Sequence, residues 1–296
     1  MTDVDPSAQA AVAGQVVVAR GRTAEVLAHG TDEVVKLFYT WCPREWADRE
    51  AAGTSIAHSL GLPVPACRGI VTMGQRHGLV FERIRGPSLA NVMVRRPWTL
   101  RGSAALLGRL HARVNQESGV GLPSLRRYLE GCIRKSDALT EEVRRYAAAV
   151  LSALPDGTSL CHFDFHPEQI LLSSSGPVMI DWNAPYQGSA AADVARTLLL
   201  IRFGTSPSMG RIMNAVVNVV RGSITRGYVR TYLRLSPRTS WSEIQAWMVP
   251  VAVARLTEGI HEETEALRRF IQECQAQGVG SPPGSSGTSG ARTARS

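Results

Sequence analysis

Two aspartates, Asp164 and Asp181, stand seventeen residues apart, each closing a short apolar segment. The first lies in Cys161-His162-Phe163-Asp164-Phe165-His166-Pro167-Glu168-Gln169-Ile170-Leu171-Leu172, and the second ends the run Val178-Met179-Ile180-Asp181-Trp182. Polar residues set this densely among apolar ones are costly to bury, because a carboxylate without a partner loses its hydration or its charge. Acids paired at strand ends suit Mg²⁺, which takes one or two carboxylates together with phosphate oxygens and water. Plainer readings of the same residues stand beside this one. His162 reads equally as a core histidine bonded to backbone, Pro167 as a helix start and Asp181 as a turn acid. His162, Asp164 and His166 alternate and would offer zinc one face of a strand, although Pro167 directly after His166 ends a strand there.

A second residue asks for explanation far upstream. Only two of the 33 basic residues are lysines, Lys36 and Lys135, and Lys36 sits inside the apolar run Val34-Val35-Lys36-Leu37-Phe38. Snorkelling at a strand edge is the plain account of such a residue.

The elements that must position these groups follow from pattern. Strands are expected at 15–19, 25–29 and 34–38, separated by Gly21-Arg22-Thr23 and Gly30-Thr31-Asp32, as an antiparallel meander. A helix over 44–60 is ended by Gly61 and Pro63, and strands at 68–73 and 79–84 follow. Gly86-Pro87-Ser88 breaks the pattern, after which helices are expected at 100–115, 124–134, 140–154, 190–203, 209–233, 242–247 and 251–275. Short strands at 160–163, 170–172 and 178–180 interrupt them around the two acids. The expected organisation is an N-terminal lobe over 1–85, a C-terminal lobe over 86–277 and a Gly/Ser/Thr/Pro-rich disordered tail over 278–296.

Composition narrows the class. A chain of 296 residues with 44% hydrophobic and 20% charged residues has enough apolar surface for two lobes around a cleft. The net charge of +8 favours anionic partners, but the arginines are spread without a tract, so nucleic-acid binding is not expected. Apolar runs such as 198–201 and 248–254 are far short of a membrane span. The first residues carry Asp3 and Asp5 rather than a basic start, and the five cysteines are dispersed, which reads as a cytoplasmic protein with reduced thiols.

The segment around Asp164 resembles the catalytic segment of the aminoglycoside phosphotransferase-like kinases, His-Gly-Asp-Leu-His-Pro-Gly-Asn-Ile-Leu. Met179-Ile180-Asp181-Trp182 is similar to that family's Ile-Asp-Trp motif, and Gly188 through Asp193-Val194-Ala195 to its Gly-x-x-x-x-Asp-Leu-Ala motif. Three motifs in order carry the resemblance over most of 15–275. It implies an α+β, bilobal protein-kinase-like fold: an antiparallel sheet lobe plus one helix, then a mostly helical lobe. It implies transfer of the γ-phosphoryl of ATP (or GTP), with Mg²⁺, to a hydroxyl of a small molecule, such as an antibiotic. A nucleotide-binding pseudokinase and an amino-alcohol or sugar kinase are the alternatives.

Residue by residue, the resemblance casts Asp164 as the acceptor of the hydroxyl proton and His162 as the brace of the catalytic loop. Asp181 and the residue at 169 are cast as metal ligands, and Asp193 as holder of loop N–H groups. Lys36 becomes the lysine of the phosphates, with Glu50 in Arg49-Glu50-Ala51-Ala52 as its acid and Glu45 as the alternative. Backbone groups of Glu82, Arg83 and Ile84 are cast as the adenine contact. Gln169 departs from the pattern, standing where the family has Asn; Glu168 stands where it has Gly and adds a carboxylate. The stretch with Glu258, Glu262, Glu263, Glu265 and Glu273 reads either as a binding surface for a polycationic acceptor or as a solvated helix face.

Overall fold

A computed structural model describes residues 16–183, 185–204 and 211–278, with the backbone alone for 211–220. The expected tail therefore lies outside the described residues, apart from Gly278.

The N-terminal lobe is a five-stranded sheet in the order β1-β2-β3-β5-β4, antiparallel at every pairing. Its strands are β1 (Val17–Arg20), β2 (Ala24–His29), β3 (Glu33–Phe38), β4 (Cys67–Met73) and β5 (Arg76–Glu82). The single helix of this lobe, α1 (Arg44–Ser59), separates β3 from β4 and packs on β4 and β5. The two-residue alternation of a strand sorts β3 into two faces. Val35 and Leu37 pack with Leu27 and Val80 on one face, while Phe38 packs with Ala47 of α1 and with Leu79 and Phe81 on the other. Lys36 shares that second face, so its side chain is directed toward α1.

A glycine makes the passage to the second lobe. A Cβ at Gly86 would stand 2.0 Å from the carbonyl oxygen of Leu172, so only glycine lets the linking strand cross there. The helices that follow are α2 (Leu89–Arg95), α3 (Leu100–Gln116), α4 (Leu125–Lys135), α5 (Glu141–Ala153), α6 (Ala190–Phe203), α7 (Arg211–Leu235), α8 (Trp241–Leu256) and α9 (His261–Ala276). Between α5 and α6 lie four short strands: β6 (Ser159–Cys161), β7 (Ile170–Ser173), β8 (Gly176–Met179) and β9 (Tyr186–Gly188). β7 and β8 form a hairpin, and β6 pairs with β9. The core centres on α6 and α8. Every residue of α6 from Ala191 to Ile201 is buried, the mark of a helix covered on all sides.

The antiparallel sheet lobe and the helical part agree with the expected fold class, and three details differ. The helices expected at 242–247 and 251–275 are divided elsewhere. α8 runs through Pro250, and the break falls at Glu258-Gly259. Burial of Val249 to Leu256 among α4, α5, α6 and α9 outweighs the hydrogen bond that proline removes. β5 begins at Arg76 rather than 79, because the turn needs only Gly74 and Gln75. The short elements α2 and β9 have too few residues to show a periodicity.

Candidate active site

The hairpin explains how residues distant in sequence meet. Ile170 pairs with Met179, which brings Gln169 and Asp181, just outside the two strand ends, side by side. Ile180 N–H donates to the Gln169 carbonyl at 2.9 Å and closes the arrangement. Gln169 ends the 3₁₀ turn Pro167–Gln169, for which His166 is the N-cap. Its amide Nε2 lies 2.9 Å from Asp181 Oδ2, 3.2 Å from His166 Nε2 and 3.5 Å from Asp164 Oδ2. One amide thus joins the two acids.

Lys36 joins this group from the sheet lobe. Its Nζ donates to Glu50 at 2.7 and 2.8 Å and to Asp181 Oδ1 at 2.5 Å. Glu50 is buried, whereas Glu45 is exposed, so the acid that reaches Lys36 is Glu50. Burial disfavours the Lys36 charge, but Asp181 and Glu50 outweigh it and hold its pKa above the ordinary lysine value. Burial acts against Asp181 as well, and Lys36 more than reverses it, keeping the carboxyl ionised. Burial pushes Glu50 up to about 7 against the opposing pull of Lys36. Asn183, whose Nδ2 donates to Asp181 Oδ1 at 2.9 Å, adds a contact that the sequence reading did not name.

Asp164 stands on a loop held from α6. Asp193, in the first turn of α6, accepts the N–H of His162 at 2.9 Å and of Phe163 at 2.8 Å, with Asn115 Nδ2 at 2.8 Å. Burial opposes the Asp193 charge, and His111, 2.9 Å away, leads the contacts that hold its pKa low. His162 is fully buried; its Nε2 lies 3.2 Å from the Ile180 carbonyl and its Nδ1 accepts from Asp164 N–H at 3.3 Å. One ring nitrogen faces a carbonyl and the other faces an N–H, which fixes the neutral Nε2–H tautomer. Burial lowers its pKa accordingly. Phe163 at φ 59° and Asp181 at φ 68° are the described non-glycine residues in the left-handed region. Such backbone costs of order 1–3 kcal/mol and persists where surrounding contacts impose it.

Other expected groups fall as follows. Glu82 N–H donates to Ala66 O at 2.9 Å and Arg83 N–H to Asp32 O at 2.8 Å, so both donors are engaged within the sheet lobe. Glu168 is exposed. The acidic stretch divides: Glu262, Glu265 and Glu273 are exposed on α9, as the solvated-face reading has it, with Glu265 3.7 Å from Arg269 one turn on, whereas Glu258 and Glu263 are taken up by arginines. Glu263 is buried and takes both Arg255 Nε and NH2 at 2.6 and 2.7 Å, while Glu258 bridges Arg255 and Arg196. Among the described residues no group of three or more His, Cys, Asp and Glu side chains is gathered to hold a metal, so the zinc reading finds no ligand set. His162 faces backbone instead. No described helix is long and apolar enough to cross a membrane.

Comparison with known proteins agrees with this fold. The chain belongs to the phosphotransferase enzyme family, whose model matches residues 16–235. It is a kinase-type enzyme, as the motifs around Asp164, Asp181 and Asp193 implied. Solved structures share the fold at low identity. An aminoglycoside-3′-phosphotransferase of type VIII matches with a TM-score of 0.61 and 18% identity, over 82% of this chain and 92% of that one. A choline/ethanolamine kinase family protein from Mesorhizobium loti matches with a TM-score of 0.58 and 15% identity, over 92% and 91% of the two chains. An amicoumacin kinase in complex with AMP-PNP and Ca²⁺ matches with a TM-score of 0.57 and 12% identity, over 90% of each chain. No curated protein matches the chain.

Proposed function

We propose that this protein transfers the γ-phosphoryl group of ATP (or GTP) to a hydroxyl of a small molecule, with Asp164 as the proton acceptor. The observation that carries the reading is the convergence of Lys36, Asp181, Gln169 and Asp164 from β3, the β7–β8 hairpin and the catalytic loop, within hydrogen-bond reach of one another in sequence. Phosphoryl transfer asks little covalent chemistry of a protein; it asks for positioning and for charge where charge develops. Lys36 supplies a fixed positive charge for phosphate oxygens. Asp164 orients the acceptor hydroxyl and takes its proton as the oxygen attacks the γ-phosphorus and the bond to the β-phosphate oxygen breaks.

The residues present fit a hard divalent cation such as Mg²⁺. An ionised Asp181 is an oxygen donor of the kind Mg²⁺ takes in ones and twos beside phosphates, and Gln169, whose Nε2 faces both acids, would offer its amide oxygen by a turn of the side-chain amide. The cation would neutralise charge on the phosphate oxygens. For the base, the Ile84 N–H has no partner among the described residues, which supports it as the donor to adenine, with Glu82 and Arg83 contributing carbonyls. Acceptor choice rests on less. Two of the five acids of the C-terminal stretch, Glu258 and Glu263, are committed to arginines, which weakens the case for a polycationic acceptor.

The test is nucleotide turnover by the purified protein against a panel of aminoglycosides, macrolides, cyclic peptide antibiotics and amino alcohols, with mass spectrometry of each acceptor. One phosphorylated hydroxyl supports the reading. Nucleotide binding with no phosphorylated acceptor and no phosphate release would leave the pseudokinase alternative standing in its place.

A further inference from the structure

Arg196 lies three residues beyond Asp193 on α6, one turn along the same face, and its side chain is 5% exposed. We infer that Arg196 is a positioning residue for phosphoryl transfer: it fixes the peptide that carries Asp164, and Glu258 in the turn between α8 and α9 holds it there. The inference rests on the reading of Asp164 given above.

The contacts define the role. Arg196 Nε donates to the Phe163 carbonyl at 3.1 Å, and its guanidinium lies over the Phe163 ring, 5.3 Å from the centroid. The Asp164 N–H of the same peptide unit is held by His162 Nδ1. The plane leading into Asp164 is therefore clamped at its carbonyl by Arg196 and at its N–H by His162, while Asp193 holds the Phe163 N–H. A bulky residue in the left-handed region needs such over-determination. Arg196 NH2 also lies 3.8 Å from Asp164 Oδ1 and 2.5 Å from Glu258 Oε1. Glu258 Oε2 takes Arg255 NH1 at 2.6 Å, and Arg255 is anchored by buried Glu263. The series Glu263–Arg255–Glu258–Arg196 thus runs from α9 to the catalytic loop.

Stability alone does not call for this arrangement. A buried charge is costly even when paired, and an apolar residue of similar volume often stabilises as well or better. Arg196 NH1 is buried with no hydrogen-bond partner among the described residues. What the arginine adds over an apolar side chain is the carbonyl contact and a positive charge beside Asp164.

The experiment measures phosphate release from MgATP and MgGTP, with water as acceptor, for wild type, Arg196→Met, Arg196→Lys, Glu258→Gln and Asp164→Asn. Misplacement of a catalytic group by about 1 Å costs on the order of 10²-fold, so Arg196→Met is expected to lower kcat about 10–100-fold. KM for the nucleotide should stay within about 3-fold, because the loss is confined to the chemical step. Arg196→Lys recovers part of kcat by restoring the charge. Amide exchange at Phe163 and Asp164 accelerates in Arg196→Met. Should that variant fail to fold, Glu258→Gln decides, with an expected fall in kcat of about 3–10-fold at unchanged KM. Wild-type kcat in Arg196→Met (or in Glu258→Gln in its place), with Asp164→Asn inactive, overturns the inference alone. So does a rise in KM as large as the fall in kcat, which marks a merely structural residue. Full turnover in Asp164→Asn overturns the reading of Asp164 and the inference together.

Discussion

Gly53 on α1 lies against the backbone of Trp182: a Cβ at position 53 would stand 2.5 Å from the Trp182 carbonyl oxygen. Helix α1 is therefore pressed onto the chain immediately after Asp181, and Glu50, one turn before Gly53, is held where Lys36 can reach it. Gly53→Val must push α1 away or displace the Asp181 segment. The expected result is a fall in nucleotide affinity of about 10-fold, from loss of a charge-assisted contact, with the fold retained. Titration calorimetry beside a melting curve checks it; unchanged affinity at unchanged Tm refutes the coupling.

Lys36 carries the next prediction. Lys36→Ala removes the cation shared by Glu50 and Asp181 and is expected to weaken ATP or GTP binding by ~10-fold or more. Equal affinity in wild type and variant by calorimetry contradicts the assignment.

Much of this site was legible in the sequence, and what was not has physical causes. Lys36 stood out because a lone lysine between Val35 and Leu37 breaks an apolar strand, and Asp164, Asp181 and Asp193 came with their motifs. The sheet lobe followed from alternation and turns. Arg196 gave no such signal, and Glu258 stood out only as one acid of the C-terminal stretch. Their significance lies in a contact across 62 positions, and in an arginine-rich chain one more arginine draws no notice. Pro250 misled for a local reason: a proline usually ends a helix, but the burial of α8 outweighs it. In the acidic stretch the solvated-face reading holds for Glu262, Glu265 and Glu273, but charge in a sequence does not tell that arginines elsewhere in the fold have claimed Glu258 and Glu263.

Gln169 is expected to accept Asn and not Ala. Asn offers the same amide on a shorter arm, whereas Ala removes the group that joins Asp164 to Asp181. Gln169→Ala should raise the Mg²⁺ concentration for half-maximal turnover by about 10-fold, as loss of one ligand or its immediate support does. A Mg²⁺ titration that superimposes on wild type would transfer the role to another residue.

His162 makes stability depend on pH. Its pKa is lowered in the fold by burial from the ordinary 6.5, so the unfolded chain takes up the proton first. The stabilisation is complete above 6.5 and is lost as pH falls through the lowered folded value. His162→Asn should be less stable than wild type near pH 8, and the gap should narrow toward about pH 5. Melting curves of the two proteins across that range test it; a constant gap contradicts a buried neutral histidine.

The central claim is that Asp164 serves the chemistry and not the binding of nucleotide. Its carboxylate is partly exposed beside Gln169 and Arg196, while Lys36 and Asp181 pair with each other at 2.5 Å, where the proposed function puts the phosphates. Replacement by Asn keeps the shape and removes the proton acceptor, an effect worth on the order of 10²–10⁴ in rate. The direct measurement is phosphoryl transfer to the acceptor identified by mass spectrometry, run for wild type and Asp164→Asn beside nucleotide binding by calorimetry. The account predicts transfer reduced by that factor with nucleotide affinity within about 3-fold of wild type. Full transfer by Asp164→Asn contradicts it.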